Sequence, residues 1–554
     1  MSVRAYQGLR IIVGTAVLLG CGLVFADVRG WFDSRFTDVL LWPQFLPSLL
    51  AFLRGAGWAA AGFVAVLVLT ALFGRVYCAM LCPLGVLMDA VAWLGRKRGR
   101  KRKLPYRRGH TWLRVAVVVA TVALFAAGSA AVLGFLDPFS LFGRIMASTV
   151  RPVAGWANNL VAYRGWTKPV TVVPSAAAAT GVAVGMLAVV VLLALWRGRL
   201  WCNTFCPVGA VLGALSKFSL FRLSFTSGAC TACSLCERAC PAQCIDYRRQ
   251  RVDHSRCVMC LDCVSACRKT GLNVEFAYGG RLVGTKDVSL ANLPTCPSSP
   301  PASRRGFLAA AGTLAAEAVG RGRGWDEGGG GGRGGGGGGG RRGGGGQEEQ
   351  EGDAKDGHDV RRLTPATKKA VLPPGAVSLA HFQATCTACH LCVTHCPSQV
   401  LRPAIAQRGL AGFLQPYQDF GVAFCEFNCS QCSQVCPTGA IQPITIEQRH
   451  VVQTGVAHFF RNRCVVRTEG TACGACAEHC PTQAVHMIPF RGGRLTIPEV
   501  TPELCIGCGA CEFICPVIPD KAIVVDGLAV HATATRIKTT GQNKVRAMEE
   551  EFPF

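Results

Sequence analysis

The sequence predicts a multi-domain fold: a four-helix transmembrane bundle followed by small α+β domains organised around cysteine clusters. Three observations predict it. Long apolar runs fill the first 200 of 554 residues, 31 cysteines lie almost entirely between Cys202 and Cys515, and a glycine tract divides the chain. At about 100–200 residues per domain, three or four domains are expected. The expected boundaries are a four-span membrane domain at 1–222, a two-motif cysteine domain at 223–295, a signal-like and glycine-rich linker at 296–376, a four-motif cysteine domain at 377–530 and a tail at 531–554.

The bundle rests on four apolar runs, near Gly8–Ala26, Gly55–Phe73, Val115–Leu136 and Ala176–Trp196. A helix of about 20 apolar residues crosses the hydrocarbon core. Arg10 shortens the first run, and no small-residue cleavage site follows it, so it is read as a retained span rather than a signal peptide. The formal charge of +25 does not imply a nucleic-acid partner, because nine basic residues fall in the single loop Arg96–Arg108 between the second and third runs. The positive-inside rule places that loop in the cytoplasm, and with it both ends of the bundle. Arg144, Arg151, Arg164 and Lys168 form a weaker basic group between the third and fourth runs. The expected location is the bacterial inner membrane, multi-pass, with the lipid bilayer as partner.

The second and fourth runs end alike, in GRVYCAMLCPLG and GRLWCNTFCPVG. This internal repeat suggests two equivalent hairpins. Cys78, Cys82, Cys202 and Cys206 are then expected together on the cytoplasmic face, as a redox or metal-binding set. The alternative is four helix-packing thiols, with Pro83 and Pro207 turning the chain.

Beyond the fourth run, Cys230, Cys233, Cys236 and Cys240 are spaced C-x2-C-x2-C-x3-C, and Cys257, Cys260, Cys263 and Cys267 repeat the pattern. This is bacterial ferredoxin spacing: three cysteines hold three corners of a cubane and the fourth serves the partner cluster. Cys267 therefore completes the first cluster and Cys240 the second. Zinc sites use paired C-x2-C units instead.

Four further sets follow: Cys386, Cys389, Cys392 and Cys396; Cys425, Cys429, Cys432 and Cys436; Cys464, Cys473, Cys476 and Cys480; Cys505, Cys508, Cys511 and Cys515. Each ends in Cys-Pro, and two have a lengthened first gap. Six 4Fe-4S clusters on 24 thiolates are expected. Cys21, Cys244 and Cys296 are left over, as small hydrophobes. His390, His395 and His479 sit among the ligands, where a histidine can tune a cluster through hydrogen bonds, but are expected at the surface. No nucleotide fingerprint, P-loop or nucleophile elbow is present, and no catalytic residue is identified.

Ser303-Arg304-Arg305-Gly306-Phe307-Leu308 has the form of a twin-arginine export signal, with Ala316-Glu317-Ala318 as a cleavage-like site. Between Gly328 and Gly346, 16 of 19 residues are glycine, the composition of a flexible tether.

In this order, residues 1 to about 295 resemble the NapH family, with four spans, two C-x3-C-P motifs and two ferredoxin motifs. Residues of about 300 to 530 resemble the NapG/MauM ferredoxin-type family, with a twin-arginine signal and four cluster motifs. The resemblance implies a quinol dehydrogenase, drawing on the membrane quinol pool and supplying a periplasmic reductase of the nitrate reductase type or a cytochrome c acceptor. It also implies a periplasmic C-terminal domain. By analogy with related four-cluster subunits, its motifs are expected to pair in nested order, one with four and two with three; sequential pairing is the alternative. Asp137, in LDPFS at the lumenal end of the third run, is considered as a quinol-binding residue, with a helix-ending Asp-Pro turn as the favoured reading. The alternative function is an iron–sulfur assembly or regulatory factor for a membrane or periplasmic redox enzyme.

Overall fold

The computed structural model describes residues 2–278 and 368–536, apart from 33, 56, 98–105, 108, 174–175, 227 and 270. Cys296, the twin-arginine-like segment, the cleavage-like site and the glycine tract lie outside the described residues.

Two helices are long and apolar enough to cross a membrane: Val3–Ala26, of 24 residues, and Ala177–Arg197, of 21. The Ser2 hydroxyl opens the first by accepting the Ala5 N–H at 3.2 Å. The other two predicted runs behave differently. One forms the 17-residue helix Gly57–Phe73. The run Val115–Leu136 is not continuous: the helix Thr111–Ala126 stops at Gly128, whose φ of +83° lets the Ser129 N–H return to the Leu124 carbonyl. Ala131–Leu136 then forms a separate six-residue helix. A third unit of span length that the apolar pattern did not flag is a bent pair, Arg35–Leu41 and Phe45–Leu53, meeting at 97°.

The repeated sequence gives a repeated structure. Gly74 and Gly198, both at positive φ, end the preceding helices. Short helices Tyr77–Met80 and Leu200–Thr204 follow, and Pro83 and Pro207 begin the helices Pro83–Lys97 and Pro207–Leu215. Proline suits a first helical turn, where its missing N–H has no intrahelical partner.

The cysteine-rich sequence folds as ferredoxin-type modules. In the first, Phe221–Phe225 pairs antiparallel with Leu272–Phe276 around both motifs, and Ile245–Asp246 pairs with Arg251–Val252 between them. The last module repeats this plan: Val452–Phe459 pairs with Ile523–Thr533 outside, and Val485–Phe490 with Leu495–Val500 inside. The middle module is braced by Leu401–Pro403 against Pro416–Gln418. These sheets are small, and cysteines supply much of the core. Eight of the 25 buried residues in the C-terminal apolar cluster are cysteines.

The modules pack at opposite ends of the helix Val3–Ala26. Near its start, the Tyr6 hydroxyl donates to the Met259 carbonyl at 2.8 Å and Arg10 pairs with Asp262 at 3.1 Å. Near its end, Cys21, Val24 and Phe25 share an apolar cluster with Phe139, Phe142, Cys389 and Leu391.

Candidate iron–sulfur centres

The motif loops share a backbone device. Residues two and four places after the first cysteine are left-handed in four of the six sets: Ala232 and Ser234, Met259 and Leu261, Ala388 and His390, Gly507 and Gly509. Successive right- and left-handed residues turn consecutive N–H groups inward, forming a concavity for anionic sulfur of the kind seen at Fe–S sites. Six of these eight residues are not glycine, so the conformation carries strain that the surroundings must hold. The two sets with a lengthened first gap lack the pattern: Ser430 and Gly474 have φ near −130°.

Cys230, Cys233, Cys236 and Cys267 line one cavity of about 230 Å³, three thiols from one motif and the fourth from its partner. Cys240 correspondingly lies within electrostatic reach of Cys260 and Cys263. Four thiols around one void, with inward N–H groups, fit a cubane. Burial pushes the Cys236 thiol up to about 11 and those of Cys389, Cys476 and Cys508 up to about 12. Bound iron would favour the thiolate at these positions and displace the protons.

In the C-terminal region the structure corrects the nested pairing. Cys515 lines a pocket with Cys464, Cys473 and Cys476, not with the Cys386 set. Cys436 faces Cys386, Cys389 and Cys392, Cys396 faces Cys425, Cys429 and Cys432, and Cys480 faces Cys505, Cys508 and Cys511. In the last module the outer strand pair, Val452–Phe459 with Ile523–Thr533, closes around the third and fourth motifs, which are adjacent in the chain.

Two further expectations are revised. His390 is buried, not at the surface; its Nε2 meets the Leu414 carbonyl at 2.9 Å, and burial lowers it to about 4. His395 is half-buried and His479 exposed. Cys244 is no mere space-filler, since its sulfur lies 3.5 Å from that of Cys240 and holds Cys240 below the usual thiol range. Cys21 does pack as a small hydrophobe.

Cys78, Cys82, Cys202 and Cys206 are all buried in one cluster, which also contains Cys260. The Gly85 and Gly209 N–H groups donate to Cys82 and Cys206 sulfur at 3.4 and 3.2 Å. The repeats cross-brace each other: Arg75 donates to the Cys202 carbonyl at 3.2 Å, and Arg199 to the Cys78 carbonyl at 2.7 Å. Arg75 also reaches Asn203 at 3.0 Å and the Ser255 carbonyl at 3.1 Å, while Arg199 is paired with Asp89. Arg114 adds bonds to Ser255 at 3.0 and 3.2 Å. The first ferredoxin module is therefore clamped onto the C-x3-C-P helices by buried guanidiniums, whose roles the motif spacing did not reveal.

At the opposite end, Asp137 caps the helix Pro138–Ile145 by accepting the Ser140 N–H at 2.7 Å. Arg144, on the same helix, reaches the Thr387 and Ala388 carbonyls at 3.5 and 3.4 Å. A Cβ on Gly134 would lie 2.3 Å from the Thr387 oxygen, and one on Gly143 would lie 2.4 Å from the Cys389 oxygen. Glycine is what admits the Cys386–Cys392 loop to this surface.

The family described as "4Fe-4S binding domain" matches residues 56–101 and 178–226, the two C-x3-C-P repeats. Families described as "4Fe-4S dicluster domain" match 385–465 and 470–518. Methylamine utilization ferredoxin-type protein MauM of Methylobacillus flagellatus is 33% identical over 182 residues, 30% of this chain and 74% of the relative. Ferredoxin-type protein NapF of Escherichia coli K12 is 30% identical over 172 residues, 30% of this chain and 94% of the relative. The chain belongs to this ferredoxin-type family. Methylamine utilization ferredoxin-type protein MauN of Paracoccus denitrificans, 32% identical over 198 residues, is covered over 57% of its length, with 34% of this chain aligned. No solved structure matches the chain. As a member of the ferredoxin-type family, the chain is an iron–sulfur electron-transfer protein.

Proposed function

We propose that this is a membrane-bound quinol dehydrogenase component: quinol is oxidised in the membrane half, and the C-terminal domain supplies a periplasmic reductase of the nitrate reductase type or a cytochrome c. The domains are those expected from the sequence, with the basic loop Arg96–Arg108 in the cytoplasm, four passes through the inner membrane, and the C-terminal domain on the periplasmic side. One observation carries the reading. Cysteine modules dock at both ends of a single 24-residue apolar helix, which at 1.5 Å per residue is about 36 Å long, enough for a hydrocarbon core of about 30 Å.

In this reading the six four-cysteine sets hold six 4Fe-4S clusters, and Cys78, Cys82, Cys202 and Cys206 form a further redox or metal-binding set. A bound cubane supplies one-electron redox chemistry; the chain supplies thiolates, inward N–H donors, burial and fixed separation. The helix Pro138–Ile145 has a suitable place for passage between the halves. Leu141 and Ile145 belong to the cluster containing the C-x3-C-P thiols, whereas Phe139 and Phe142 belong to the one containing Cys389.

The test is quinol-dependent bleaching of iron–sulfur absorbance in purified membranes. Bleaching with a membrane quinol, lost when the four spans are deleted, is expected; reduction by dithionite alone would refute the quinol assignment. Topology has its own test. Arg304→Lys with Arg305→Lys should retain the C-terminal domain inside the cell while the apolar helices still insert. A C-terminal reporter that remains outside would refute the export reading. For the ligand assignment, Cys515→Ser should alter the spectrum of the centre on Cys464, Cys473 and Cys476, and leave that on Cys386, Cys389 and Cys392 unchanged.

A further inference from the structure

Where the middle and last ferredoxin modules meet, a buried arginine stands between two cysteine sets. The Cys425 N–H donates to the Cys508 carbonyl at 2.9 Å, so the second and fourth C-terminal motifs touch through their backbones. The loop carrying Cys508 is pressed close against strand Val452–Phe459: a Cβ on Gly507 would lie 2.4 Å from the Gly455 nitrogen. Beside this contact ends the short helix Ile446–Arg449, opened by a capping box between Thr445 and Gln448. Its last residue, Arg449, turns inward and is 1% exposed. One guanidinium nitrogen, Nη2, lies 3.3 Å from the Cys425 sulfur.

The rest of that guanidinium is unexplained by the protein alone. Nε and Nη1 are buried without a hydrogen-bond partner, and among the described residues no carboxylate forms an ion pair with Arg449. A buried, unpaired cation with unused donors is costly unless acceptors are supplied. The cysteine thiols within its electrostatic reach include Cys425, Cys508 and Cys432, ligands of the two sets. His531, the neighbouring titratable ring, is lowered to about 4 by burial and by Arg449, so it is neutral and neither repels nor balances the guanidinium charge.

We propose that Arg449 is a positioning residue for electron transfer between modules: its guanidinium donates to thiolate or sulfide sulfur of the centres on Cys425, Cys429, Cys432 and Cys396 and on Cys505, Cys508, Cys511 and Cys480, raising both reduction potentials. Each reduction adds negative charge beside a fixed positive one, so the reduced state gains more from Arg449 than the oxidised state does. The junction thereby becomes a favourable stopping point for an electron between the module docked on Gly134 and Gly143 and the half-buried Cys473 and Cys476 at the far side. The inference rests on the six-cluster reading and assigns a role within it that motif spacing does not reveal.

The test is an EPR-monitored redox titration of the purified full-length protein, with iron and sulfide analysis on each sample. Arg449→Met should keep its full iron content and make reduction of two centres roughly tenfold less favourable, about 59 mV for a one-electron couple, with the others unmoved. Arg449→Lys, which keeps the charge but loses the planar fork, should fall between wild type and Arg449→Met. If Arg449→Met loads fully and no potential moves, or all move equally, the proposal is wrong. If it fails to load, Arg449→Lys decides by the same criterion, a wild-type titration overturning the proposal. Wild-type protein lacking iron in the C-terminal modules would instead overturn the six-cluster reading.

Discussion

The first and the last ferredoxin modules share one plan, an outer antiparallel strand pair around two motifs and an inner pair between them, yet their surroundings hold them differently. The first is clamped onto the membrane helices by the Arg75 and Arg114 side chains, which reach Ser255, and by the Arg199 backbone N–H, which donates to the Pro241 carbonyl. The last touches the middle module through backbone, at Cys425–Cys508, and the middle module meets the membrane half through Arg144, Gly134 and Gly143. Both ends combine buried cations with close glycine approaches, since Arg144 reaches the Thr387 and Ala388 carbonyls and a Cβ on Gly213 would lie 2.4 Å from the Ser255 oxygen; the balance differs, with three guanidinium bonds of 3.0–3.2 Å to Ser255 at the first docking against two of 3.4–3.5 Å at the second. The difference predicts unequal sensitivities: deleting a guanidinium should damage the first docking more than the second.

The largest effect is expected at Arg199. Its buried guanidinium pairs with Asp89 and braces Cys78, so Arg199→Met leaves a carboxylate and a carbonyl without their donor. Breaking a buried pair costs about 3–5 kcal/mol, and because Asp89 is partly exposed the lower end, about 3 kcal/mol, applies. A fall in thermal midpoint is the expected readout. An unchanged midpoint would remove the idea that this guanidinium braces the two C-x3-C-P repeats.

Next comes Gly143→Ala. The new methyl would lie 2.4 Å from the Cys389 oxygen and 2.6 Å from the Phe25 ring, both held in a packed cluster. Overpacking of this kind costs roughly 1–3 kcal/mol. Gly181→Ala is the control, since nothing lies within 4 Å of its added carbon. The expected outcome is release of the C-terminal region, seen as faster proteolysis there, in Gly143→Ala alone. Equal behaviour of the two variants would show that close approach at Gly143 does not hold the module.

Which of these features the sequence disclosed follows from how local each one is. Cysteine spacing is local, so all six sets could be read directly, as could the repeated C-x3-C-P turns with their prolines. Pairing between sets depends on which strands close around which motifs, a non-local property that the spacing of the C-terminal motifs does not carry. The run Val115–Leu136 is apolar throughout, so hydropathy could not reveal the break that Gly128 makes in its helix. Arg449 left one trace, the Thr445–Gln448 capping pair, which marks a helix start and says nothing of where the last side chain points. Gly134 and Gly143 resemble any membrane-helix glycine until the loop from Thr387 to Cys389 lies against them.

A smaller effect is expected from Arg10→Ala. Arg10 meets Asp262 at 3.1 Å, but the carboxylate is partly exposed and also receives Gln7 at 3.3 Å. Half-exposed pairs of this kind contribute about 0.2–1 kcal/mol. The thermal midpoint should move slightly, and less in high salt. A loss matching that of Arg199→Met would mean that the clamp extends to the start of the helix Val3–Ala26.

The smallest change in stability, and the sharpest contrast between modules, is expected at Cys244. Four residues after the last cysteine of a motif, the chain places Val400, Ala440, Ala484 and Pro519 in the C-terminal modules and Cys244 and Gly271 in the first; Val400, Ala440, Ala484 and Cys244 are buried. Cys244→Ala therefore installs a residue that this position already accepts elsewhere, and the loss of one small buried group should cost under about 1.5 kcal/mol. What alanine lacks is the thiol proton. The Cys244 sulfur lies 3.5 Å from Cys240, and that hydrogen bond is the largest cause of the fall in Cys240 to about 7. Without it Cys240 rises, so iron reconstitution of the first module should require a higher pH in Cys244→Ala than in wild type. At one pH, the centre using Cys240 should also become harder to reduce, because a donor to its thiolate is gone. Cys244→Ser, which keeps a donor, should restore part of both. If reconstitution of Cys244→Ala follows the wild-type pH profile, the sulfur contact has no electrostatic consequence, and Cys244 reverts to a small hydrophobe like its three buried counterparts.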